Sequence, residues 1–245
     1  MAVFILYCMI ETARELRDFR LTKYRICSPK LNGIRGTKKI IFLSDLHNRM
    51  YGKENERLLK SIKNQHPDLI LIGGDMLVRK DGNSYDRTVR FLEKLPAICP
   101  VYCANGNHEQ KLKELPDKYE QSYEGYKKAL TACGIYMLEN ASETVRLDEA
   151  PVRISGLEIP LRAYARFGKK DLPLKEITDR IGEHGEEYQI LLAHHPGYIQ
   201  EYLEYGADLI LSGHYHGGVM QLPGIGQVKA AAIVTYRNSN GPFSS

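Results

Sequence analysis

Past residue 20, short apolar runs alternate with amphipathic stretches along the chain. Lys39–Ser44 and Asp68–Ile72 each contain four consecutive apolar residues, a length and composition that predict buried strands. In the stretch between them, Asn55–Lys63, the residues Leu58 and Ile62 recur at helical spacing. These three segments together predict a β-α-β unit.

The same alternation continues through the rest of the chain. Helical periodicity predicts helices at Thr88–Leu95, at Tyr119–Cys133, where Gly134 ends the pattern, and around Ile199–Tyr205. Further apolar runs predict strands at Val101–Ala104, Ile135–Leu138, Thr144–Leu147, Val152–Ser155, Ile190–Ala193 and Leu209–Leu211. Because strands alternate with helices in the first half, we predict an α/β protein with mostly parallel pairing there. In such sheets, ligands bind in the loops beyond the carboxyl ends of the strands.

Composition places the chain among ordinary globular proteins. It has 245 residues, of which 43% are hydrophobic and 26% charged, and this balance excludes disordered, collagen-like and disulfide-dense classes. No linker rich in Pro, Gly or Ser divides it. We therefore expect a lead-in and first strand at residues 1–38 and one domain at residues 39–245.

The net charge and the N-terminus limit the partners. A formal charge of +4 is too small to predict a specific nucleic-acid partner. The apolar segment Ala2–Ile10 is shorter than the roughly 20 residues that cross a bilayer, and it lacks the features of a signal peptide. Five cysteines without a paired CxxC spacing favour reduced thiols. We expect a cytoplasmic protein without a transmembrane span; peripheral membrane contact and the oligomeric state stay open.

Potential metal ligands follow the predicted strands. Each motif alone is weak evidence, since a histidine beside a strand is more often a structural polar residue. Their joint occurrence at successive strand ends favours a metal site, and carboxylate, amide and imidazole ligands suit Mn, Fe, Zn or similar divalent ions. Seven ligands exceed the needs of one catalytic zinc, so two divalent metal ions about 3.5 to 4 Å apart, sharing a carboxylate, fit better. The candidate ligands are Asp45, His47, Asp75, Asn107, His194, His214 and His216.

Taken in order, these motifs resemble a known family. The sequence contains D-x-H at Asp45, G-D at Asp75, G-N-H-E at Asn107, a histidine at His194 and G-H-x-H at His214. This order resembles the calcineurin-like metallophosphoesterases of the bacterial single-domain type, over roughly residues 39–221. The resemblance implies a four-layer αββα sandwich with mixed sheets and a dinuclear metal site between them.

The resemblance also assigns the ligands to two ions. One ion would be held by Asp45, His47, Asp75 and His216, and the other by Asp75, Asn107, His194 and His214, so that Asp75 bridges. The family's H-x-P spacing selects His194 rather than its neighbour His195. The remaining histidines, His66 and His184, lie in predicted loops without ligand neighbours and are expected at the surface.

The expected activity is hydrolysis of phosphomonoesters or phosphodiesters, on a small-molecule or lipid-linked substrate. Two cations flanking one water lower its pKa, so we expect attack by a metal-bridging hydroxide. By resemblance, His108 assists the leaving group as a general acid. Asn107 would also touch the phosphate, and with Asp75 these residues form the expected catalytic set.

Two alternatives remain. Arg79, four residues after Asp75, suggests a phosphoprotein phosphatase of the Ser/Thr type, but Val78 stands where that class has an aspartate. A non-catalytic scaffold of the same fold is disfavoured by the intact ligand set. The resemblance implies further strands after Pro223, whereas Gly224–Ser245 is short, which indicates a truncated C-terminal end.

Overall fold

A computed structural model describes residues 19–79, 84–164 and 171–215, together with the backbone of residues 234–235. Its first sheet has four strands, all parallel and adjacent in chain order. This pairing confirms the β-α-β arrangement predicted for the first half. The strands are β1 (Ile40–Leu43), β2 (Leu69–Ile72), β3 (Val101–Cys103) and β4 (Ile135–Met137).

In the described part of the chain the second sheet has five strands, also adjacent in chain order. Its central strands β6, β7 and β8 are parallel, while β5 and β9 pair antiparallel at the two edges. The sheet is therefore mixed, as expected. Its strands are β5 (Ala141–Leu147), β6 (Ala150–Leu157), β7 (Tyr188–Ala193), β8 (Leu209–Leu211) and β9 (Val234–Thr235).

Six α-helices connect or cover these strands in the described parts of the chain. Four lie in the half of the chain that forms the first sheet, and two lie between strands of the second. They are α1 (Glu56–Gln65), α2 (Asp86–Leu92), α3 (Asn107–Glu114), α4 (Tyr123–Ala132), α5 (Leu174–Ile181) and α6 (Ile199–Tyr205). Short 3-10 helices occur at Pro29–Leu31, Lys53–Asn55, Pro116–Lys118, Leu161–Tyr164 and Pro196–Tyr198.

The alternation of side chains along β2 explains the inner layers. Ile70 and Ile72 pack on the helix side, in one core with Phe91 of α2. Leu69 and Leu71 point the other way, into a core shared with strands of the second sheet such as β6 and β7. Because successive residues of a strand face opposite sides, one short apolar strand supplies both cores.

A third core covers the outer face of the second sheet. Leu191 and Ile210, from β7 and β8, pack there against Ile177 of α5 and Tyr202 of α6. Three cores separate four layers, in the order helices, sheet, sheet, helices. The expected αββα sandwich is confirmed.

Two helices were not predicted from the sequence. In α3 only Leu112 is a buried aliphatic residue, so the segment carries almost no apolar periodicity. The α5 segment is apolar at Ile177 and Ile181, but it is short. The predicted helix at Tyr119–Cys133 begins later, at Tyr123, because the Ser122 hydroxyl caps it by accepting a hydrogen bond from the Gly125 N–H.

The lead-in is described from residue 19 onward. Within residues 19–38 the described element is a 3-10 helix, and the first described strand begins at Ile40. The apolar segment at residues 2–10 lies outside the described residues, as does most of the C-terminal stretch after residue 223. Among the described helices, none has the length and apolarity that a membrane span needs.

The core between the two sheets should dominate stability. Leu71 is fully buried there, so Leu71→Ala should lower the free energy of unfolding by about 2 to 5 kcal/mol in chemical denaturation. The exposed control Lys128→Ala on α4 should change it by less than about 0.5 kcal/mol. Equal effects of the two substitutions would contradict this placement of the core.

Candidate metal centre

The candidate ligands lie where strands of both sheets end. Asp45, Asp75 and Asn107 follow the carboxyl ends of β1, β2 and β3 in the first sheet. His194 and His214 follow β7 and β8 in the second. Parallel strands present their carboxyl ends at one edge, so two stacked sheets bring these five side chains into one cleft.

Several of these residues have an unusual backbone conformation. Asp45, His47, Asp75 and His214 all have positive φ, between 47° and 73°, which is uncommon for residues with a Cβ. Each such residue costs on the order of 1–3 kcal/mol and persists only where its surroundings impose it. Here the loops hold each other, since the Asp45 N–H donates to the Gly74 carbonyl and the His47 N–H donates to the Asp75 carbonyl, both at 3.0 Å. The strain therefore lies at the candidate ligands.

Close approach of the loops requires glycine at two positions. A Cβ on Gly213 would overlap the Ser44 hydroxyl and the Asp45 carboxylate, and one on Gly106 would overlap the Asp75 carboxylate. The glycines in the G-H-x-H and G-N-H-E motifs thus leave room for the carboxylates that follow the first-sheet strands.

Asp75 lies at the centre of the cleft. Its side chain is 1% exposed, and its Oδ2 atom is 3.2 Å from His194 Nε2 and 3.7 Å from His47 Nε2. Its other oxygen, Oδ1, accepts the backbone N–H of His108 at 2.8 Å. Burial works against the charge of this carboxyl, yet the imidazoles of His194 and His108 hold the pKa of Asp75 well below its usual range.

His194 is oriented as a metal ligand would be. Its Nδ1 lies 2.7 Å from the Gly73 carbonyl oxygen, which only accepts, so Nδ1 carries the proton. In the neutral ring, Nε2 then presents its lone pair toward Asp75. Burial disfavours the charged ring, but the carboxylates of Asp75 and Asp45 raise the pKa of His194 to about 9. A cation bound between these carboxylates would replace that proton.

Asp45 lies on the other side of the imidazoles. Its Oδ1 is 3.6 Å from His47 Nε2 and 3.8 Å from His194 Nε2, and it accepts the backbone N–H of His214 at 3.0 Å. That hydrogen bond joins the end of β1 directly to the loop after β8. The first-sheet carboxylates and second-sheet histidines are therefore held at fixed separations.

Asn107 supplies an amide oxygen to the same region. It begins α3 and is 7% exposed, and its Oδ1 is buried without a hydrogen-bond partner among the described residues. A buried amide oxygen without a partner is costly, and a cation is one group that would satisfy it. This oxygen fits the ligand role expected of Asn107.

Two groups of donors can each hold an ion. His47, Asp75 and His108 place one ligand atom each within 4.8 Å of one another, and so do Asp75, His194 and His214. Asp75 belongs to both groups, and their oxygen and nitrogen donors suit a divalent transition metal. The donor set therefore fits the metal ions that the sequence implies.

His108 is positioned by a contact that the sequence did not reveal. Its Nδ1 accepts the backbone N–H of Arg79 at 3.0 Å, so the proton of the neutral ring resides on Nε2. That Nε2 lies 4.0 Å from Asp75 Oδ2, inside the cleft. Burial lowers the pKa of His108 to about 4. The neutral ring therefore offers a hydrogen-bond donor, Nε2–H, inside the cleft.

Glu109 is a functional candidate to which the sequence assigned no role. Its buried carboxylate accepts four backbone N–H groups, at 2.8 to 3.3 Å, from the loop after β2 and from the start of α3. Burial and the charge of Asp75 raise the pKa of Glu109 to about 7, although these donors oppose the rise. Glu109 thus joins the loops that carry Asp75 and Asn107. The only sequence signal was its place in the G-N-H-E motif.

The other histidines are placed as follows. His195 Nδ1 accepts the Gly197 N–H at 2.9 Å and caps the 3-10 helix Pro196–Tyr198, while its neighbour His194 faces Asp75. His66 and His184 are exposed. His216, expected as the seventh ligand, lies outside the described residues.

The fold and this cleft define an αββα protein with a candidate metal centre between its sheets, and comparison with known proteins identifies the family. The chain belongs to the calcineurin-like phosphoesterases, which it matches over residues 38–218.

Three bacterial relatives illustrate the range of the family. The chain is 26% identical over 220 residues to the uncharacterized metallophosphoesterase YkoQ of Bacillus subtilis (strain 168), covering 88% of this chain and 74% of YkoQ. It is 26% identical to the phosphodiesterase YaeI of Escherichia coli (strain K12), covering 85% and 71% respectively. It is 23% identical to the UDP-2,3-diacylglucosamine pyrophosphatase LpxG of Chlamydia muridarum (strain MoPn / Nigg), covering 84% and 69%.

The role of Glu109 is testable by an isosteric change. In Glu109→Gln one oxygen becomes an NH₂ group, which must face two backbone N–H donors whichever way the amide is turned. We expect a loss of about 1–3 kcal/mol in the free energy of unfolding, measured by denaturation in EDTA. The exposed control Glu124→Gln on α4 should be neutral. If both variants match the wild type, Glu109 does not hold the two loops.

Proposed function

We propose that the protein is a dinuclear metallophosphoesterase that hydrolyses phosphomonoesters or phosphodiesters. The observation that carries the proposal is the position of Asp75, whose buried carboxylate belongs to both groups of metal donors. Its Oδ2 atom lies 3.2 Å from His194 Nε2 and 3.7 Å from His47 Nε2, one imidazole from each group. The ions would be Mn, Fe or Zn, in keeping with the mixed oxygen and nitrogen donors.

The ligand assignment takes His47 and Asp75 from the first donor group and adds Asp45. It leaves out His108, because the proton on Nε2 prevents coordination through that atom. Asp45, His47 and Asp75 would hold one ion, with His216 as a further ligand from outside the described residues. The second ion would be held by Asp75, Asn107, His194 and His214. When bound, such ions lower the pKa of water and withdraw electron density from phosphoryl oxygens.

The remaining chemistry belongs to the chain itself. Asn107 would orient the phosphoryl group with its side-chain amide. His108 Nε2–H, fixed toward the cleft by the Arg79 N–H on Nδ1, would donate to the leaving oxygen. The rigid loops favour one orientation of the phosphoryl group, which supports in-line attack without a covalent phosphoenzyme.

For the substrate we propose a chemical class and not a particular compound. Relatives named as a phosphodiesterase and as a pyrophosphatase of a diacylated nucleotide sugar support a small-molecule or lipid-linked phosphoester. The phosphoprotein phosphatase alternative rests on Arg79, whose Nε donates to the Tyr119 hydroxyl at 3.3 Å. That contact uses the Nε donor alone and does not itself point to a role with substrate.

The first experiment measures metal content and turnover together. The purified protein, stripped and reloaded with Mn, Zn, Fe, Mg or Ca, should hydrolyse p-nitrophenyl phosphate or bis-p-nitrophenyl phosphate, with two ions bound per chain. Asp75→Asn should bind fewer ions and lose activity, because one ligand is shared by both donor groups. Protein that stays inert with every metal and ester, phosphopeptides included, would revive the scaffold alternative.

The second experiment tests His108. His108→Ala should retain the metal content of the wild type and lower kcat by about 10²–10⁴-fold. The loss should be larger for an alkyl phosphate than for the p-nitrophenyl ester, because the alkoxide leaving group carries more negative charge for the Nε2–H hydrogen bond to stabilise. His184→Ala, at an exposed histidine, is the matched control. Full activity of His108→Ala on both esters would remove the assignment.

A further inference from the structure

A buried polar cluster lies beside the candidate metal centre. Asn105 and Glu158 follow β3 and β6, strands of different sheets, and are 2% and 4% exposed. Asn105 Nδ2 donates to Glu158 Oε1 at 2.7 Å and to the Tyr123 hydroxyl at 2.6 Å. Asn105 lies two residues before the candidate ligand Asn107, so this hydrogen bond fixes the start of the metal-bearing loop to the second sheet.

Glu158 also binds the helix that follows this loop. Lys113, on α3, donates to both oxygens of Glu158, at 2.8 and 3.1 Å, and pairs with Glu139 at 2.9 Å. Burial opposes the charge of Lys113, but these two carboxylates raise its pKa. Lys127 balances the second negative charge by pairing with Glu139 at 3.1 Å. The cluster is thus electrically neutral and mostly shielded from water.

Two more contacts attach the same elements. Asn140 Nδ2 donates to Glu158 Oε2 at 3.1 Å, and its Oδ1 accepts the Glu158 N–H at 2.9 Å. Gln110, on α3, donates to the Ile159 carbonyl at 2.7 Å. The carboxylate of Glu158 therefore accepts from three segments at once, and it is the common acceptor that joins α3 to the end of β6.

This connection matters because the ligands assigned to the second ion come from both sheets. Asn107 and His108 lie in the first turn of α3, whereas His194 lies at the end of β7, which pairs with β6. A shift of α3 relative to β6 would change the distance between Asn107 and His194. The loops after β1 and β2 are joined to the second sheet by the hydrogen bonds of Asp45 with His214 and of Gly73 with His194. The strands themselves meet through apolar side chains, which resist separation but fix lateral position less strictly than directional hydrogen bonds do.

We propose that Glu158, with Asn105 and Lys113, positions the loop Gly106–Glu109 against the second sheet and so sets the metal-binding geometry of the centre. The proposal rests on the proposed function, since it assumes that the cleft binds metal. Glu158 is a positioning residue, because it acts through α3 and through the residues that precede Asn107.

The test compares metal affinity with stability. Glu158→Gln keeps the shape of the side chain and one acceptor oxygen but removes the negative charge that pairs with Lys113. Lys113→Met removes the positive charge of that pair. Mn²⁺ titration of the full chain, followed by electron paramagnetic resonance, should give binding about 10- to 100-fold weaker for each variant. Lys113→Arg, which retains the charge, should bind Mn²⁺ with an affinity within a few-fold of that of the wild type. Glu143→Gln, at an exposed position on β5, should bind Mn²⁺ as the wild type does.

The outcomes separate this proposal from the proposed function. Wild-type Mn²⁺ affinity in both Glu158→Gln and Lys113→Met, with only a lower Tm in EDTA, would overturn the positioning role and leave the enzyme proposal intact. A wild-type protein that binds none of Mn²⁺, Fe²⁺ and Zn²⁺ would overturn the proposed function and the positioning role with it. Weaker Mn²⁺ binding in Glu158→Gln and Lys113→Met, with an affinity close to that of the wild type in Lys113→Arg, supports the proposal.

Discussion

The burial of the Asp75 carboxylate is the constraint on which the site depends. A carboxylate removed from water needs positive charge or hydrogen-bond donors close by, because the desolvation cost is otherwise prohibitive. Around Asp75 these come from both sheets, as the His108 N–H and His47 from the first and His194 from the second. The protein thus concentrates negative charge and imidazole nitrogens in one cleft, an arrangement that divalent cations complete.

The loops that carry these residues depend on contacts with one another for their conformation. The left-handed backbone at Asp45 and Asp75 is unfavourable locally and is held by hydrogen bonds between loops and by the Glu109 carboxylate. Gly106 and Gly213 let the loops approach without a steric clash. Part of the stability contributed by the three cores therefore offsets the cost of these backbone conformations, as is usual for functional sites.

Most of the fold was predictable because its strands are short, apolar and followed by ligand motifs. The runs at Leu69–Ile72 and Tyr188–Ala193 are buried along their whole length, so sequence pattern and structure coincide. Helix α3 escaped prediction because tertiary contacts stabilise it: Glu109 accepts backbone N–H groups of a different loop, and Lys113 pairs with acids distant in sequence. The tautomers of His194 and His108 depend on backbone groups that no sequence pattern identifies.

The central claim is that Asp75 joins two metal sites. Diffraction from crystals soaked in Mn²⁺, recorded where manganese scatters anomalously, tests it directly. We expect two anomalous peaks about 3.5 to 4 Å apart, both within ligand distance of the Asp75 carboxylate. A single peak, or two peaks of which only one contacts Asp75, would contradict it.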